Sequence, residues 1–284
     1  MDLIQSFFSL FLLDKYKLMY ASYCILSSIY ADNSGFNIKL FCDYDFKQLM
    51  DKSHHCDIIE VDEFKSIDKY NDINKSLFAW PKFIVLDKVN RDTIHIDCDV
   101  FLKTKECQTL FNGYNSYKVL CQHKEKLCFT EVNESYINSF ESVKHLDFPE
   151  FVIKEVPQIM PNNGILMIND QKLWEEYRDL YWCMIELSKQ YGINNVKYSC
   201  PDLIFEQYFL DQLCKKNSID IKYAFPQEQF DEIFKGADDI GYQHMCSDKM
   251  QDLPICLNLI KKKDILAWES LKYYFGNKFP EYFE

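Results

Sequence analysis

The sequence predicts a single α/β domain in which helices flank a mostly parallel central sheet. Apolar strands alternate with helical segments along the 284 residues, and alternating β and α units build layered, parallel sheets. A hydrophobic content of 48% and an aromatic content of 16% suffice for a large core and argue against disorder. Because there are only 7 glycines, 8 prolines and no linker-like tract, we expect short connections and an undivided domain.

The chain opens with an apolar run, Phe7–Leu13, which we interpret as part of a first buried strand. A signal peptide would begin with basic residues, but Asp2 stands there and no small-residue cleavage site follows. The run is also too short to span a bilayer. Asn33-Ser34-Gly35 is a helix stop, and Pro81 suits a first helical turn. The next predicted elements are helices over 16–31, 45–52 and 78–89, and strands over 38–42 and 57–61.

The second half of the chain continues the alternation. Polar side chains follow its strands, and ligands of parallel sheets bind at the carboxyl ends of strands. Asp43, Asp99 and Gln122 all fall at that predicted edge. The predicted elements are strands over 93–99, 117–122, 164–168 and 219–225, helices over 171–190 and 202–215, and a helical tail of about 255–284 with a helix over 259–274.

The net charge and the pattern of cysteines limit which binding partners and which cellular compartment we expect for this protein. The net charge is −12 without a lysine or arginine block, so nucleic acid is excluded and an anionic membrane is a poor partner for the whole surface. No stretch reaches transmembrane length, although a peripheral membrane contact stays open. The 12 cysteines form no C-x-x-C pair, and Cys24, Cys42 and Cys183 lie in apolar segments. We therefore expect a reduced, cytoplasmic protein.

The segment Asp97-Cys98-Asp99 is the main candidate site. It follows the apolar residues Ile94 and Ile96, and alternation along a strand would place both carboxylates on one face. Two hard oxygen ligands suit Mg²⁺ or Mn²⁺, and such an ion could stabilise a departing nucleotide diphosphate. A pair of carboxylates in a solvated turn or helix cap is the alternative. His95 would share their face, either as a ligand or, as we favour, as a packed and hydrogen-bonded strand histidine.

Two polar segments farther along are candidates for sugar recognition and catalysis. Asn162-Asn163-Gly164 precedes an apolar strand, and its amides can read hydroxyl groups while glycine permits close approach. An ordinary turn would use the same residues. Glu206 lies one helical turn after Asp202 and could be a general base or a carboxylate facing an anomeric carbon. The alternative for Glu206 is a solvated helix face.

Two further segments carry candidate metal and phosphate contacts. His244 can supply an imidazole nitrogen to a metal, which suits Mn²⁺ somewhat better than Mg²⁺, and Lys249 is a point charge for a diphosphate. Both residues would be equally ordinary in a surface loop. Lys82 could reach the phosphate or base of a donor with Trp80 packed beneath it. A core tryptophan beside a solvated lysine is the alternative there.

Taken in order, these segments resemble bacterial glycosyltransferases of the GT-A type, which have a Rossmann-like fold. In particular, the chain resembles a small uncharacterised group with an Ile-His-Ile-Asp-Gly-Asp-Val-Phe strand. Here that strand is Ile94–Phe101, with Cys98 in place of the glycine. The resemblance covers nearly the whole chain. Its other matching segments are Gln5–Phe7, Leu40–Asp43, Phe78–Lys82, Asn163–Ile165, Ile204–Tyr208 and Gly241–His244.

The resemblance implies which residues serve each role. A divalent ion, Mn²⁺ or Mg²⁺, would be bound by three side chains, Asp97, Asp99 and His244. The final segment is also distantly similar to the histidine-to-lysine element of family 8 glycosyltransferases, although their spacing is one residue longer and includes a glycine and a proline. Asn163 and Glu206 would act at the reacting sugar. The nucleotide-sugar donor would be contacted by Asp97, Lys82, Trp80, Gly164, Lys249 and Gln207.

The expected activity is therefore transfer of a sugar from a nucleotide-diphosphate sugar, UDP-linked by preference, to the hydroxyl of a glycan or other acceptor. Surface glycan synthesis is the expected setting. Two other classes stay open: a different metal-dependent enzyme, such as a nucleotidyltransferase or sugar-nucleotide hydrolase, and a non-catalytic sugar-nucleotide-binding protein. A nucleotidyltransferase would carry a glycine-rich phosphate loop near its first strand, and Leu10–Tyr16 has no glycine.

Overall fold

The structure is a computed structural model that describes residues 1–8, 14–50, 55–64, 79–126, 130–197, 199–226, 236–244 and 249–283. Seven strands form one mixed, mostly parallel sheet with helices on its flanks, which confirms the predicted α/β fold class. The strands are β1 Asp2–Phe7, β2 Asn37–Cys42, β3 Cys56–Glu60, β4 Ile94–Ile96, β5 Val100–Leu102, β6 Val119–Lys126, β7 Ile159–Ile168, β8 Ile221–Phe225 and β9 Tyr242–His244.

The order of the large sheet is β3-β2-β1-β4-β7-β6-β8, and β5 pairs with β9 in a separate two-stranded ribbon. Strand β1 is parallel to β2, β2 to β3 and β6 to β8, whereas β6 and β7 are antiparallel. The α-helices are α1 Asp14–Asn33, α2 Tyr44–Met50, α3 Trp80–Leu86, α4 Thr130–Val143, α5 Gln171–Tyr191, α6 Phe209–Lys216, α7 Lys249–Lys263 and α8 Ile265–Phe275, and a π-helical segment spans Leu203–Tyr208.

The chain divides into two compact units. The first comprises 1–66, 95–110 and 236–284, and the second comprises 67–94 and 111–235. In the first unit, buried side chains of α1, α2, α7 and α8 form one apolar cluster. Each fully buried leucine or isoleucine of such a cluster contributes about 1.5–3 kcal/mol. This core supports β1, β2 and the segment that follows β4.

The second unit is organised around Phe83 of α3. Its ring stacks on Tyr181 at 3.7 Å between centroids and lies 4.9 Å from that of Tyr177, both on α5. Asp170 precedes helix α5, and its carboxylate accepts a hydrogen bond from the Leu173 N–H at 3.0 Å and so caps the helix. These aromatic contacts fix α3 and α5 against each other within this unit.

Most predicted elements are confirmed within a few residues, but the carboxylate strand is shorter than expected. Strand β4 ends at Ile96, and the chain turns before β5 starts at Val100. The prediction of one continuous strand over 93–99 was therefore wrong, as was the argument from alternation. A hydrogen bond from the Val100 N–H to the Asp97 carbonyl, at 3.0 Å, closes this turn.

Other boundaries differ for identifiable reasons. Strand β7 starts at Ile159 rather than Gly164, because β6 continues to Lys126 and pairs with it. The expected tail helix is two helices, since Asp264 caps a new helix by accepting from the Ala267 N–H at 3.0 Å. Cys183 is exposed on α5, which corrects its assignment to an apolar environment. Three predictions fall wholly or partly outside the described residues: the run Phe7–Leu13, the end of the 45–52 helix and the start of the 78–89 helix.

Gly241 precedes β9, and substituting it tests whether the β5–β9 ribbon requires a glycine at this position. Its φ is +69°, and an added Cβ would clash with Cγ2 of Thr104. Gly241→Ala should destabilise the fold through both the left-handed backbone and this clash. Gly113 has the same φ of +69° but its nearest heavy atom would be 3.8 Å away, so Gly113→Ala is a matched control.

We expect Gly113→Ala to cost about 1 kcal/mol, and Gly241→Ala to cost about 1–3 kcal/mol more because of overpacking. Urea denaturation of both variants measures the difference. Equal midpoints would show that the ribbon tolerates a methyl group at Gly241.

Candidate functional site

A tight turn places Asp97 and Asp99 between β4 and β5. Its backbone is held from two sides: the Gln5 amide donates to the Asp97 carbonyl at 3.3 Å and to the Ser27 hydroxyl at 2.8 Å. The Ser27 hydroxyl in turn donates to the Val100 carbonyl at 2.6 Å. Strand β1 and helix α1 thus fix both ends of the turn.

The β5–β9 ribbon brings His244 to the same turn. In this antiparallel pairing Val100 lies opposite His244, so the imidazole stands beside the residue that precedes Val100. The His244 Nε2 atom is 3.4 Å from Oδ1 of Asp99. Ligand atoms of Asp97, Asp99 and His244 all lie within 4.8 Å of one another, and we call these three side chains the triad.

The triad has the chemistry of a site for a divalent ion. Ligands about 2.1 Å from one ion lie at most about 4 Å apart, so small side-chain movements would bring all three donors onto it. Asp99 is nearly buried, with 5% of its side chain exposed, whereas Asp97 is 32% exposed. A buried carboxylate requires a cation or hydrogen-bond donors nearby. Carboxylate oxygens and an imidazole nitrogen are both common ligands of divalent metal ions.

His95 lies behind the triad and is not one of its members. It is buried in β4, its Nε2 is 2.9 Å from the Ser6 hydroxyl, and its Nδ1 is 3.8 Å from Oδ1 of Asp97. The favoured interpretation as a hydrogen-bonded strand histidine is the one that this geometry supports. The His95 ring is therefore within hydrogen-bond distance of Ser6, whereas its separation from Asp97 is too long for a hydrogen bond.

A second polar group lies in the second unit. The Lys82 ammonium donates to Oε1 of Glu206 at 2.7 Å and to the Asn163 carbonyl at 3.1 Å. Both charged side chains are nearly buried, so Glu206 is not on a solvated helix face. The Tyr177 hydroxyl donates to the Glu206 carbonyl at 2.7 Å, and burial together with the nearby Glu206 carboxylate raises the pKa of Tyr177. Tyr177 therefore stays a neutral donor.

Glu206 belongs to the π-helical segment that precedes α6. Such segments are rare and are frequent at functional sites, because the wider turn redirects side chains. Asp202, just before this segment, accepts from the Ala79 N–H at 2.8 Å and from the Tyr181 hydroxyl at 3.1 Å. These bonds tie the segment to the start of α3 and to α5, within the same unit.

Three amide side chains of the second unit have buried atoms without a hydrogen-bond partner. Both amide atoms of Asn163, Oε1 of Gln122 and Oε1 of Gln207 are buried in this way. The neighbouring Asn162 differs, because it donates to Glu125 at 2.7 Å and accepts from the Gly164 N–H at 2.9 Å.

The remaining predicted site residues have simpler surroundings. Trp80 is buried at the start of α3, and Gly164 lies inside β7 rather than in a turn before it. Lys249 begins α7, but its side chain and residues 245–248 lie outside what the structure describes. Sequence reasoning gave no role to Gln5, Ser27 or Tyr177, because nothing in their local pattern distinguishes them from core residues.

The sheet and the triad together define an α/β protein with a candidate divalent-metal site next to a central strand. The chain belongs to DUF6734, a family of unknown function whose profile matches residues 6–284. No curated protein matches the sequence.

Several solved glycosyltransferase structures are similar to this chain at low identity. One is the galactosyltransferase LgtC with donor and acceptor sugar analogues, at 11% identity and a TM-score of 0.47, covering 93% of this chain and 96% of that chain. Mouse xyloside xylosyltransferase 1 has 13% identity and a TM-score of 0.42, covering 78% and 85%. The bifunctional WbbM has 11% identity and a TM-score of 0.45, covering 95% of this chain and 51% of its own.

Metal binding to the triad can be measured directly. At a Mn²⁺ concentration 100 times the dissociation constant, a site present only in the folded state stabilises it by about 2.7 kcal/mol. We expect Mn²⁺ to raise the melting temperature of the native chain, Asp99→Asn to abolish that rise and His244→Gln to weaken it. Asp2→Asn, at an exposed carboxylate paired with Lys39, is the control. A full Mn²⁺ response in Asp99→Asn would exclude the triad as the binding site.

Proposed function

We propose that this chain is a metal-dependent glycosyltransferase of the GT-A type. It would move a sugar from a nucleotide-diphosphate sugar, preferably UDP-linked, to an acceptor hydroxyl, plausibly in surface glycan synthesis. The observation that carries the proposal is the triad of Asp97, Asp99 and His244 beside the end of β4. The ordered resemblance of the sequence to GT-A glycosyltransferases supports the same activity.

The triad suits a diphosphate leaving group. When bound, Mn²⁺ or Mg²⁺ would supply positive charge to the departing diphosphate. Asp99 would be a direct ligand because its carboxylate is the more buried, and His244 would complete the protein's share of the shell. Asp97, which is partly exposed, would contact the ion or the donor ribose. Lys249 would balance phosphate charge.

The polar group of the second unit suits the reacting sugar. Glu206, held in position by its 2.7 Å contact with Lys82, would accept the proton of the acceptor hydroxyl if the configuration is inverted. If the configuration is retained, it would instead support an oxocarbenium-like transition state. Lys82 would serve both as a donor contact and as the residue that holds Glu206. Asn163 and Gly164 are the proposed contacts of the donor sugar, and Trp80 and Gln207 are further proposed contacts of the nucleotide-sugar donor.

The products of donor cleavage test this function. We expect the chain with Mn²⁺ to release UDP and free sugar from at least one UDP-sugar in a panel of UDP-, GDP- and CMP-sugars. Water acts slowly as the acceptor in this assay. The release should stop with EDTA and in Asp99→Asn. UMP with sugar 1-phosphate would instead identify a hydrolase of the diphosphate, and nucleotide binding without cleavage of any donor would favour a non-catalytic protein.

We also propose a cytoplasmic location with a peripheral membrane contact. Ten cysteines in the described part of the chain are free thiols, as fits a reducing compartment. No helix in the described residues has the length and apolarity to cross a bilayer. At the junction of α7 and α8, however, three exposed lysines, Lys261–Lys263, precede Ile265 and Leu266, which are 55% and 50% exposed. Lysines beside apolar side chains suit an anionic lipid surface.

Vesicle sedimentation tests this contact. Each lysine near an anionic surface contributes about 1 kcal/mol, so replacing Lys261, Lys262 and Lys263 together by glutamate should lower partitioning onto phosphatidylserine vesicles at least about 100-fold. The control replaces the exposed Lys103 and Lys105 by glutamate. Equal partitioning of the two variants would reject the junction as the contact.

A further inference from the structure

Helix α1 contains three fully buried serines, and one of them differs from the other two. The hydroxyls of Ser22 and Ser28 each donate at 2.8 Å to a carbonyl of their own helix, as serines inside helices commonly do. The Ser27 hydroxyl instead donates to the Val100 carbonyl of β5 at 2.6 Å. Ser27 therefore connects α1 to the strand that follows the two carboxylates.

Two hydroxyl groups hold the same edge of β5. Val100 and Leu102 are two residues apart in this strand, so their carbonyl groups point to the same side. The Val100 carbonyl accepts from Ser27, and the Leu102 carbonyl accepts at 2.8 Å from Ser34, which is buried just after α1. The position of β5 is therefore fixed by α1 and by the residue that follows this helix.

Ser27 binds β5 at the place where two members of the triad meet. Val100 directly follows Asp99 and lies opposite His244 in the β5–β9 ribbon. A shift of Val100 would therefore change the separation between the Asp99 carboxylate and the His244 imidazole. The bond made by Ser34 lies two residues farther along β5, so we expect it to influence these two side chains less.

Gln5 connects the third member of the triad to the same hydroxyl. Its amide nitrogen donates to the Ser27 hydroxyl at 2.8 Å and to the Asp97 carbonyl at 3.3 Å. A hydroxyl that accepts one hydrogen bond and donates another strengthens both, because each bond polarises the next. All of these residues belong to the first unit. The backbone segments that carry the three ligand side chains are thus connected through one buried hydroxyl group.

We propose that Ser27 is a positioning residue that determines how tightly the triad binds a divalent ion. This inference rests on the proposed function, because it requires the triad to be the metal site. Both hydrogen bonds of the Ser27 hydroxyl go to other residues, so Ser27 acts through the backbone of the turn and of β5. Without that hydroxyl, only the fraction of molecules in which the three ligand side chains are close together can bind the ion.

Titration of alanine variants with Mn²⁺ tests the proposal, with free Mn²⁺ measured by its electron paramagnetic resonance signal. If the binding arrangement is populated about one-tenth of the time in Ser27→Ala, the dissociation constant for Mn²⁺ rises about tenfold. Ser28→Ala is the matched control, because it removes a buried hydroxyl of the same helix that bonds only within α1. We expect Ser28→Ala and Ser34→Ala to lower the urea midpoint and to keep a dissociation constant close to that of the native chain.

Gln5→Met keeps a side chain of similar length but removes the donor to Ser27 and Asp97, so it should also raise the dissociation constant and decides the matter if Ser27→Ala does not fold. A native dissociation constant in either variant, or an equal rise in Ser28→Ala, overturns the positioning role. If the native chain then still binds Mn²⁺ and Asp99→Asn does not, the metal site survives. If the native chain does not bind Mn²⁺, or Asp99→Asn binds it equally well, this inference and the proposed function fall together.

Discussion

The candidate metal site depends on the hydrogen bonds that hold the turn between β4 and β5. Gln5 and Ser27 are fully buried, and together they bind the carbonyl groups of Asp97 and Val100. A buried amide or hydroxyl left without a partner destabilises a protein by about 1–3 kcal/mol, so these bonds are strongly favoured once the core has formed. The two carboxylates are therefore brought together by the packing of β1 and α1 and not by strand alternation.

The Lys82–Glu206 pair imposes a similar constraint on the second unit. Breaking a buried ion pair by removing one partner destabilises a protein by about 3–5 kcal/mol, since the other charge remains buried. Lys82 also binds the Asn163 carbonyl, so the ion pair joins α3, β7 and the π-helical segment. A structural network of this kind also fixes the position of a carboxylate, which is a requirement for acid or base chemistry.

Local pattern was enough to predict the elements but not the geometry of the site. Helix α1 and strand β2 were predicted from the spacing of apolar residues such as Leu18, Ile25 and Leu40, and all three side chains are buried. The position of His244 depends on pairing between β5 and β9, which are separated by more than a hundred residues and carry no periodic signal of their own. The triad was nevertheless predicted, since the resemblance supplied the long-range relation that the local pattern lacks.

The surroundings of Asn163 and Glu206 in the second unit could not be predicted from the local sequence, for physical reasons. Asn163 and Gly164 were equally compatible with a turn and with a ligand site, because the same residue types serve both. The bulge opposite Gln122 and the π-helical turn at Glu206 arise from tertiary pairing, and residue propensities do not encode either one. Only the structure shows that the side chain of Asn162 is hydrogen-bonded while that of Asn163 is not.

The amide side chains without hydrogen-bond partners also affect the stability of the folded state. Native proteins leave few buried polar groups without hydrogen bonds, so adjacent exceptions at Gln122 and Asn163 oppose folding rather than assist it. Apolar residues of similar volume would pack there with less loss of stability. Buried polar groups that lower the stability of a protein and have no hydrogen-bond partner within it are expected at functional sites, where a ligand can supply the hydrogen bonds. In this chain they coincide with a break in the β6–β7 ladder and with a buried ion pair. Asn163 links these departures from regular structure, because it lies in the ladder break and its carbonyl accepts from Lys82 of the ion pair.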